Sequence, residues 1–434
     1  MSISQRSEKL GLKELIAMGV GGMVGGGIFS VLGLSVALAG HAASIAFVLG
    51  GIIAALTGIS YARLGLAFRS DGGSFTYLEH AFRQKNVAGM GGWMLVVGYV
   101  GTMALYAYTF GVYATAMFGA HAHINAMHHL LQSFILLLFM GINLYGIKAA
   151  GESEDLIVLV KVLILSLFAV TGLFYIKTDH LVPFFNTGAS GVLMGAALIF
   201  VAYEGFELIP NSVNEMRNPD RDLSRGILIS IGVTITIYLL VSLVAVGNLL
   251  PEEISKYKEY ALAVAAKPFL GRSGFMLIGL GALLSTASAI NATMFGTARL
   301  AMVMAQDSDL PKVFSHRERG NNIPYVSLIF ITIMTLLFVN TTDLTIISSF
   351  ASSTFLLLFT AINLSAIRLR RRIGIGIVIP LSGLLLSVSS WIVLCIYLYR
   401  SYRSGLIWIG AIYLSVIVAE LFFSERRLFL KQKP

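Results

Sequence analysis

Cysteine is almost absent from this chain of 434 residues. The one thiol, Cys395, lies inside a long hydrophobic run, so a disulfide framework is excluded. Charge is scarce too: Asp, Glu, Lys and Arg make up 12% of the residues, against about 25% in soluble domains. No H-E-x-x-H, G-x-S-x-G or G-x-x-x-x-G-K occurs, so the zinc-protease, serine-hydrolase and phosphate-loop signatures are missing and ATP-driven pumping is not expected. The first apolar run is too long for a signal peptide and lacks a small-residue cleavage site.

Apolar residues are present in excess. They form 56% of the chain, mean hydropathy is +0.82, and they collect in runs of about 20, the length that spans a bilayer. Twelve such runs are expected, near 12–39, 43–68, 88–118, 130–149, 154–176, 191–215, 226–250, 273–304, 324–340, 344–367, 374–399 and 405–423. The net charge of +9 follows the same layout. With the N-terminus inside, 22 of the 31 Lys and Arg fall on inside loops and ends and 7 outside, while Lys161 and Arg299 fall within runs. The positive-inside rule then puts both ends in the cytoplasm. The charge therefore reports orientation in a lipid bilayer and no nucleic-acid partner.

Between the runs the loops are short. The stretch 251–272, "PEEISKYKEYALAVAAKPFLGR", reads as an amphipathic helix on the outer surface. The stretch 69–86 reads as a turn at Asp71, Gly72 and Gly73 followed by a short amphipathic helix. "HAHINAMHH", with His121, His123, His128 and His129, reads as a solvated outside loop; it has no accompanying Cys or carboxylate and no metal site is expected.

Two runs carry interruptions. In the first, "MGVGGMVGGGIFS" (18–30) has six glycines in thirteen residues, each costing about 1 kcal/mol of helix propensity. Gly21 with Gly25, and Gly22 with Gly26, have the small-xxx-small spacing of close packing. Three successive glycines, Gly25, Gly26 and Gly27, exceed that need. An unwound stretch at about 23–28 is expected, with a half-helix starting near Gly27 whose N–H groups and positive dipole end suit a carboxylate. The sixth run breaks at Tyr203, Glu204 and Gly205 and again at Pro210. Runs one and six hold matching places in two five-helix units, and five is odd, so the units are inverted. Paired broken helices point to a transport site at the bilayer midplane.

Ionisable groups fall near the same places. Lys161 follows Glu152 by nine residues, about 13 Å along a helix. So deep a lysine is expected to take up and release a proton, or to be held in a salt bridge by Glu204 or Glu207. Either glutamate could receive a substrate ammonium, relay a proton or cap a half-helix. Ser285, Thr286 and Ser288 of run eight could face the site or bond back to their own helix, and Asn291 has the same ambiguity.

"GVGGMVGGGIFS" resembles the first-helix signature of the amino acid–polyamine–organocation superfamily of permeases. "FVAYEGFELIPNSVNEMRNPDRDLSRGI" resembles its sixth-helix stretch, with Glu215, Asn218, Pro219, Asp222, Leu223, Arg225 and Gly226 in the family pattern. "IVLVKVLILSLF" and "ALAVAAKPFLGRSGF" are similar to an archaeal branch of broad-specificity, proton-coupled members. The resemblance covers the whole chain. It implies an all-α integral membrane protein of the LeuT fold with helices one and six discontinuous. The implied division is an N-terminal arm (1–11), inverted repeats at 12–177 and 191–369, two further helices at 374–424, and a cytoplasmic tail (425–434).

The resemblance also implies a site. The substrate carboxylate meets N–H groups at Gly25, Gly26 and Gly27. The ammonium meets carbonyls near Met23 and from Tyr203 to Gly205. Ile28, Thr102, Glu204 and Glu207 complete the pocket. Lys161 replaces a sodium ion, bonding a carbonyl at Gly21 or Gly22 and the hydroxyl of Ser285 or Ser288. The implied activity is uptake of L-amino acids with protons across the inner (plasma) membrane, with no cofactor and no enzymatic step. Position 204 departs from the broad-specificity branch, where it is apolar. Glu204 there raises cationic amino acids or polyamines as an alternative cargo, imported or exchanged, with Glu204 and Glu207 reading the second charge. An intramembrane enzyme would need a nucleophile–base or metal set, and a sensor a partner domain; neither is found.

Overall fold

The structure, a computed structural model, describes residues 9–70, 72–82, 85–119, 124–145, 151–306, 310–316 and 323–429, and at 85, 124, 151–155 and 423–429 the backbone alone. Residues 1–8, Asp71, His121, His123, Lys148, Arg317, Arg319 and the tail beyond 429 lie outside this set, so the expectations placed on them lie outside it too.

Helices account for almost everything described. They are α1 (Leu12–Met23), α2 (Gly27–Ala39), α3 (Ala43–Phe68), α4 (Gly73–Ala81), α5 (Lys85–Phe118), α6 (Ile124–Leu144), α7 (Gly151–Leu173), α8 (Gly188–Leu198) and α9 (Pro219–Asn248). Then come α10 (Pro251–Lys256), α11 (Ala261–Ala265), α12 (Lys267–Gln306), α13 (Tyr325–Thr341), α14 (Leu344–Arg368), α15 (Arg370–Ile373), α16 (Val378–Ser401) and α17 (Arg403–Phe429). Ten stretches among the described residues are long and apolar enough to cross a membrane, and α13 is a shorter apolar helix. One of the ten, 27–68, runs from α2 into α3 through a turn at Gly40, whose φ is +58°. The chain is a multi-pass, all-helical membrane protein.

Sequence pattern explains which face each helix buries. On α7, Leu156, Leu159, Leu163, Leu167 and Val170 are exposed, at the three-and-four spacing of one helical face. That face is apolar and suited to lipid. Val158, Lys161, Leu165 and Phe168 fall on the other face and are buried against α1, α9 and α12. Lys161 is thus carried inward by the same periodicity that turns leucines outward.

The loop 251–272 differs from expectation. It is no single surface helix. It folds as α10 and α11, and every residue of α11 is buried. The segment "ALAVA" is apolar on all sides, so it packs inward against α2, α9 and α12. Just before it, the Lys258 backbone presses on Gly33 of α2, where a side chain would collide with it. Histidines 128 and 129 also differ: they lie on α6, which begins six residues before the expected run. His128 is half-buried with its ring edge-on to Tyr108, 4.5 Å between centroids, and its Nε2 is 3.2 Å from the Tyr108 carbonyl.

Candidate functional site

The chain leaves helical geometry at Val24 (φ −80°, ψ 50°), after α1, and re-enters it at Gly27. Glycine is needed here twice over. A methyl group on Gly26 would stand 2.5 Å from Cδ1 of Tyr106 and 2.9 Å from Cγ2 of Thr286, and one on Gly27 2.7 Å from the Ala202 Cα. One on Gly25 would stand 3.0 Å from the Tyr106 hydroxyl oxygen. The three successive glycines therefore do serve packing, contrary to the reading from spacing alone. They also leave donors exposed to a ligand. Among the described residues, no hydrogen bond ends on the N–H of Gly25, Gly26, Gly27, Ile28 or Phe29. The first turn of any helix has such orphan donors, and these are buried.

The second interruption follows α8. Tight helical turns run over Ile199–Tyr203 and Phe206–Glu215, and between them Glu204 is extended (φ −65°, ψ 141°). Gly205 sits at φ +126°, a conformation costly for a side-chain-bearing residue. It also crosses the first helix closely: a methyl on Gly205 would lie 2.6 Å from the Gly22 carbonyl carbon, and one on Gly22 3.0 Å from the Gly205 Cα. The two broken helices therefore touch backbone to backbone.

Both glutamates are buried and turn toward α5. Thr102 Oγ1 donates to Glu204 Oε2 at 2.5 Å. Glu207 Oε2 accepts the Gly205 N–H at 2.7 Å, and Tyr99 donates to its Oε1 at 3.4 Å. Tyr99, Thr102, Tyr106 and Thr109 are spaced three, four and three apart, so they form one polar stripe on α5. Each member meets the broken helices: Tyr99 at Glu207, Thr102 at Glu204, Tyr106 over Gly25 and Gly26, and Thr109 at the Ser30 hydroxyl. Of these four, sequence reasoning singles out Thr102 alone, although the spacing of the other three is a signal that could find them.

Lys161 Nζ donates to the Gly21 carbonyl at 2.6 Å, in the last turn of α1. An ammonium at a helix C-terminus is electrostatically matched. The approach is possible because position 21 has no side chain: a methyl there would lie 2.7 Å from Val158 Cγ2, one turn before Lys161 on α7. Of the lysine's two expected carbonyls, Gly21 is the one it meets; Gly22 faces Gly205 instead.

Ser285 bonds the carbonyls of Val24 and Gly25 at 2.8 and 2.7 Å, tying α12 to the first interruption. Thr286 bonds back to Ala282 in its own helix, and Ser288 is half-buried on α12. Asn291 accepts from Asn143 of α6 at 2.9 Å.

Two further tethers carry no spacing signal in sequence. The Tyr238 hydroxyl on α9 lies 2.6 Å from the Met23 carbonyl and 2.9 Å from that of Ala202, so one proton serves the ends of both broken helices. Ser352 on α14 donates to the Leu198 carbonyl at 2.6 Å and accepts the Val201 N–H at 2.9 Å. Tyr203, expected at the site through its carbonyl, anchors its hydroxyl on the Phe47 carbonyl at 2.6 Å. Met23, Ile28, Thr102, Lys161, Tyr203, Glu204 and Glu207 are each at most 4% exposed, so the site is closed to solvent in this structure.

The arrangement joins buried N–H donors, carboxylates and an ammonium around two helix interruptions, suited to holding a zwitterion. The sequence profile of a family described as amino acid permease matches residues 10–434. An uncharacterized protein of Methanocaldococcus jannaschii is 33% identical over 97% of this chain and 96% of its own. Inner membrane transport protein YbaT of Escherichia coli is 32% identical over 95% and 96%. The vacuolar cationic amino acid transporter 4 of Arabidopsis thaliana is 27% identical over 89% of this chain and 66% of its own.

Proposed function

The chain belongs to the amino acid permease family, and we propose that it imports L-amino acids by proton-coupled alternating access. In this reading it spans the inner membrane twelve times, as inverted repeats at 12–177 and 191–369 plus helices at 374–424, with residues 1–11 and 425–434 in the cytoplasm. The substrate carboxylate takes the orphan N–H groups of Gly25, Gly26, Gly27 and Ile28, worth more here than in water because the site is dry. The ammonium takes backbone carbonyls at Met23 and from Tyr203 to Gly205.

The observation that carries the coupling is the bond from Lys161 to the Gly21 carbonyl, beside the first interruption. A protonated lysine makes a charge-assisted bond there, about twice as strong as a neutral one, and holds α1 against α7. Loss of the proton weakens that bond and lets α1 swing, releasing proton and substrate together. Lys161 so takes the place of a sodium ion, with Gly21 making room for it, while Ser285 holds the Val24 and Gly25 carbonyls from α12.

Radiolabelled amino acid uptake into proteoliposomes at two pH values, with and without sodium, tests this. Uptake that rises with an inward proton gradient and ignores sodium is expected; sodium-dependent uptake unaffected by pH would overturn it.

A second reading concerns cargo. Glu204 and Glu207 are two buried carboxyl side chains at the second interruption, and the Arabidopsis relative is named for cationic amino acids. Import or exchange of cationic amino acids or polyamines follows if those carboxylates read the second charge. Binding measured for alanine, arginine and putrescine discriminates: arginine at least tenfold tighter than alanine favours this reading, and equal affinity opposes it.

A further inference from the structure

Far from the transport site, the end of α14 and the short α15 carry four arginines within five residues: Arg368, Arg370, Arg371 and Arg372. Gly374, at φ +62°, then turns the chain toward α16, and the Ile375 N–H closes on the Arg370 carbonyl at 3.2 Å. Among the described residues none of these guanidiniums is ion-paired; the ion pair found there joins Arg69 to Asp220. Two of the four are held by aromatic rings: Arg368 stands 4.1 Å over Phe82 and Arg372 4.6 Å over Phe68. Such stacking fixes a guanidinium plane while leaving its N–H edge to donate. Residues 368–372 line a shallow cavity of about 390 Å³.

A few residues further along the chain comes a surface suited to hydrocarbon. Ile377 and Val378 follow at once, 41% and 70% exposed, and Leu381 and Leu385 continue the exposed apolar stripe along α16. Four positive charges without counter-ions therefore sit at the head of an apolar track, the layout of a lipid with an acidic head. We propose that residues 368–372 bind the phosphate of an anionic phospholipid, whose acyl chain lies along Ile377, Val378, Leu381 and Leu385. Guanidinium forks match phosphate oxygens bidentately, and clusters of Lys and Arg immediately beside a membrane helix attract acidic lipid heads. A soluble phosphate would share the headgroup chemistry but would gain nothing from the apolar track, so the lipid is the occupant assigned.

The test uses the full chain in detergent, with phosphatidylglycerol and phosphatidylcholine offered together and retained lipid counted by native mass spectrometry. The protein is expected to retain phosphatidylglycerol preferentially. Arg370→Gln with Arg371→Gln should cut that preference by about twenty-fivefold, since each basic residue near a membrane surface is worth about fivefold in binding. The same double change at Arg400, in the last turn of α16, and Arg403, at the start of α17, should leave it intact. Inorganic phosphate at millimolar concentration should not displace the lipid. Equal retention by the double variant overturns the proposal, and so does displacement by phosphate, which would assign the cavity to the free anion. Should the double variant fail to fold, Arg371→Lys keeps the charge and loses the fork; unchanged preference there likewise counts against the bidentate site.

Discussion

The two broken helices cross at Gly22 and Gly205, yet the interruption at residues 24–26 and the one at Glu204 and Gly205 offer a ligand opposite chemistry. The first has no ionisable side chain and presents buried N–H donors at the start of α2. The second carries two buried carboxylates, steadied by Thr102 and Tyr99 of α5. One break is donor-rich and built from backbone; the other is acceptor-rich and built from side chains. In the proposed reading the substrate carboxylate takes the N–H groups of the first break and its ammonium takes backbone carbonyls around both, which leaves the two carboxylates for a second positive charge. The contrast also explains why the glycines cluster in the first break, where backbone must be laid bare. The single glycine at 205 instead supports a positive φ and the crossing with Gly22.

Removing the crossing is the most drastic way to break this comparison. Gly205→Ala places a methyl group against the Gly22 carbonyl at a positive φ and should cost about 3–5 kcal/mol. Thermal unfolding in detergent should show a large drop in midpoint with loss of uptake. Gly21→Ala meets one methyl of Val158 and should cost about 1 kcal/mol; if the two variants prove equally stable, the backbone crossing is not what holds the breaks together.

Charge at the second break is the next test. Glu204→Gln keeps shape and removes the charge, so arginine or putrescine binding should weaken at least tenfold if the second reading of cargo is right, while alanine changes by less than threefold. A uniform loss across all three ligands would mean that Glu204 positions Thr102 and the helix end and does not select cargo. Smaller effects are expected at the tethers. Tyr238→Phe removes the one hydroxyl shared by Met23 and Ala202 and should cost about 1–2 kcal/mol, with both halves of the site loosened. Thr109→Val, at the far end of the α5 stripe, should cost about 1 kcal/mol and leave substrate affinity within a few-fold.

Much of the architecture is legible in the amino-acid sequence. The glycine run gives away the first break because glycine is the wrong residue for a helix centre. The all-helical membrane architecture follows from the length of the apolar runs. Lys161 stands out as a charge too deep to reach water. The α5 stripe is readable from its three-and-four spacing but lies hidden in a helix whose other residues are mostly apolar or small. Tyr238 and Ser352 are not readable: each is one of several hydroxyls on a long helix, and nothing in the sequence says which of them meets a broken helix across the bundle. The loop 251–272 misleads because its charged front half sets the pattern, while "ALAVA" behaves as core. The two alternatives for Ser285 are equal in sequence, and only the carbonyls of Val24 and Gly25 across the bundle separate them.

Proton coupling through Lys161 is the central claim, and substrate-evoked proton movement tests it most directly. Proteoliposomes loaded with a pH-sensitive dye, held at zero voltage and given an external amino acid, should acidify inside with the wild-type chain. With Lys161→Ala they should not acidify, while labelled substrate still equilibrates down its gradient. Undiminished acidification with Lys161→Ala would contradict the account.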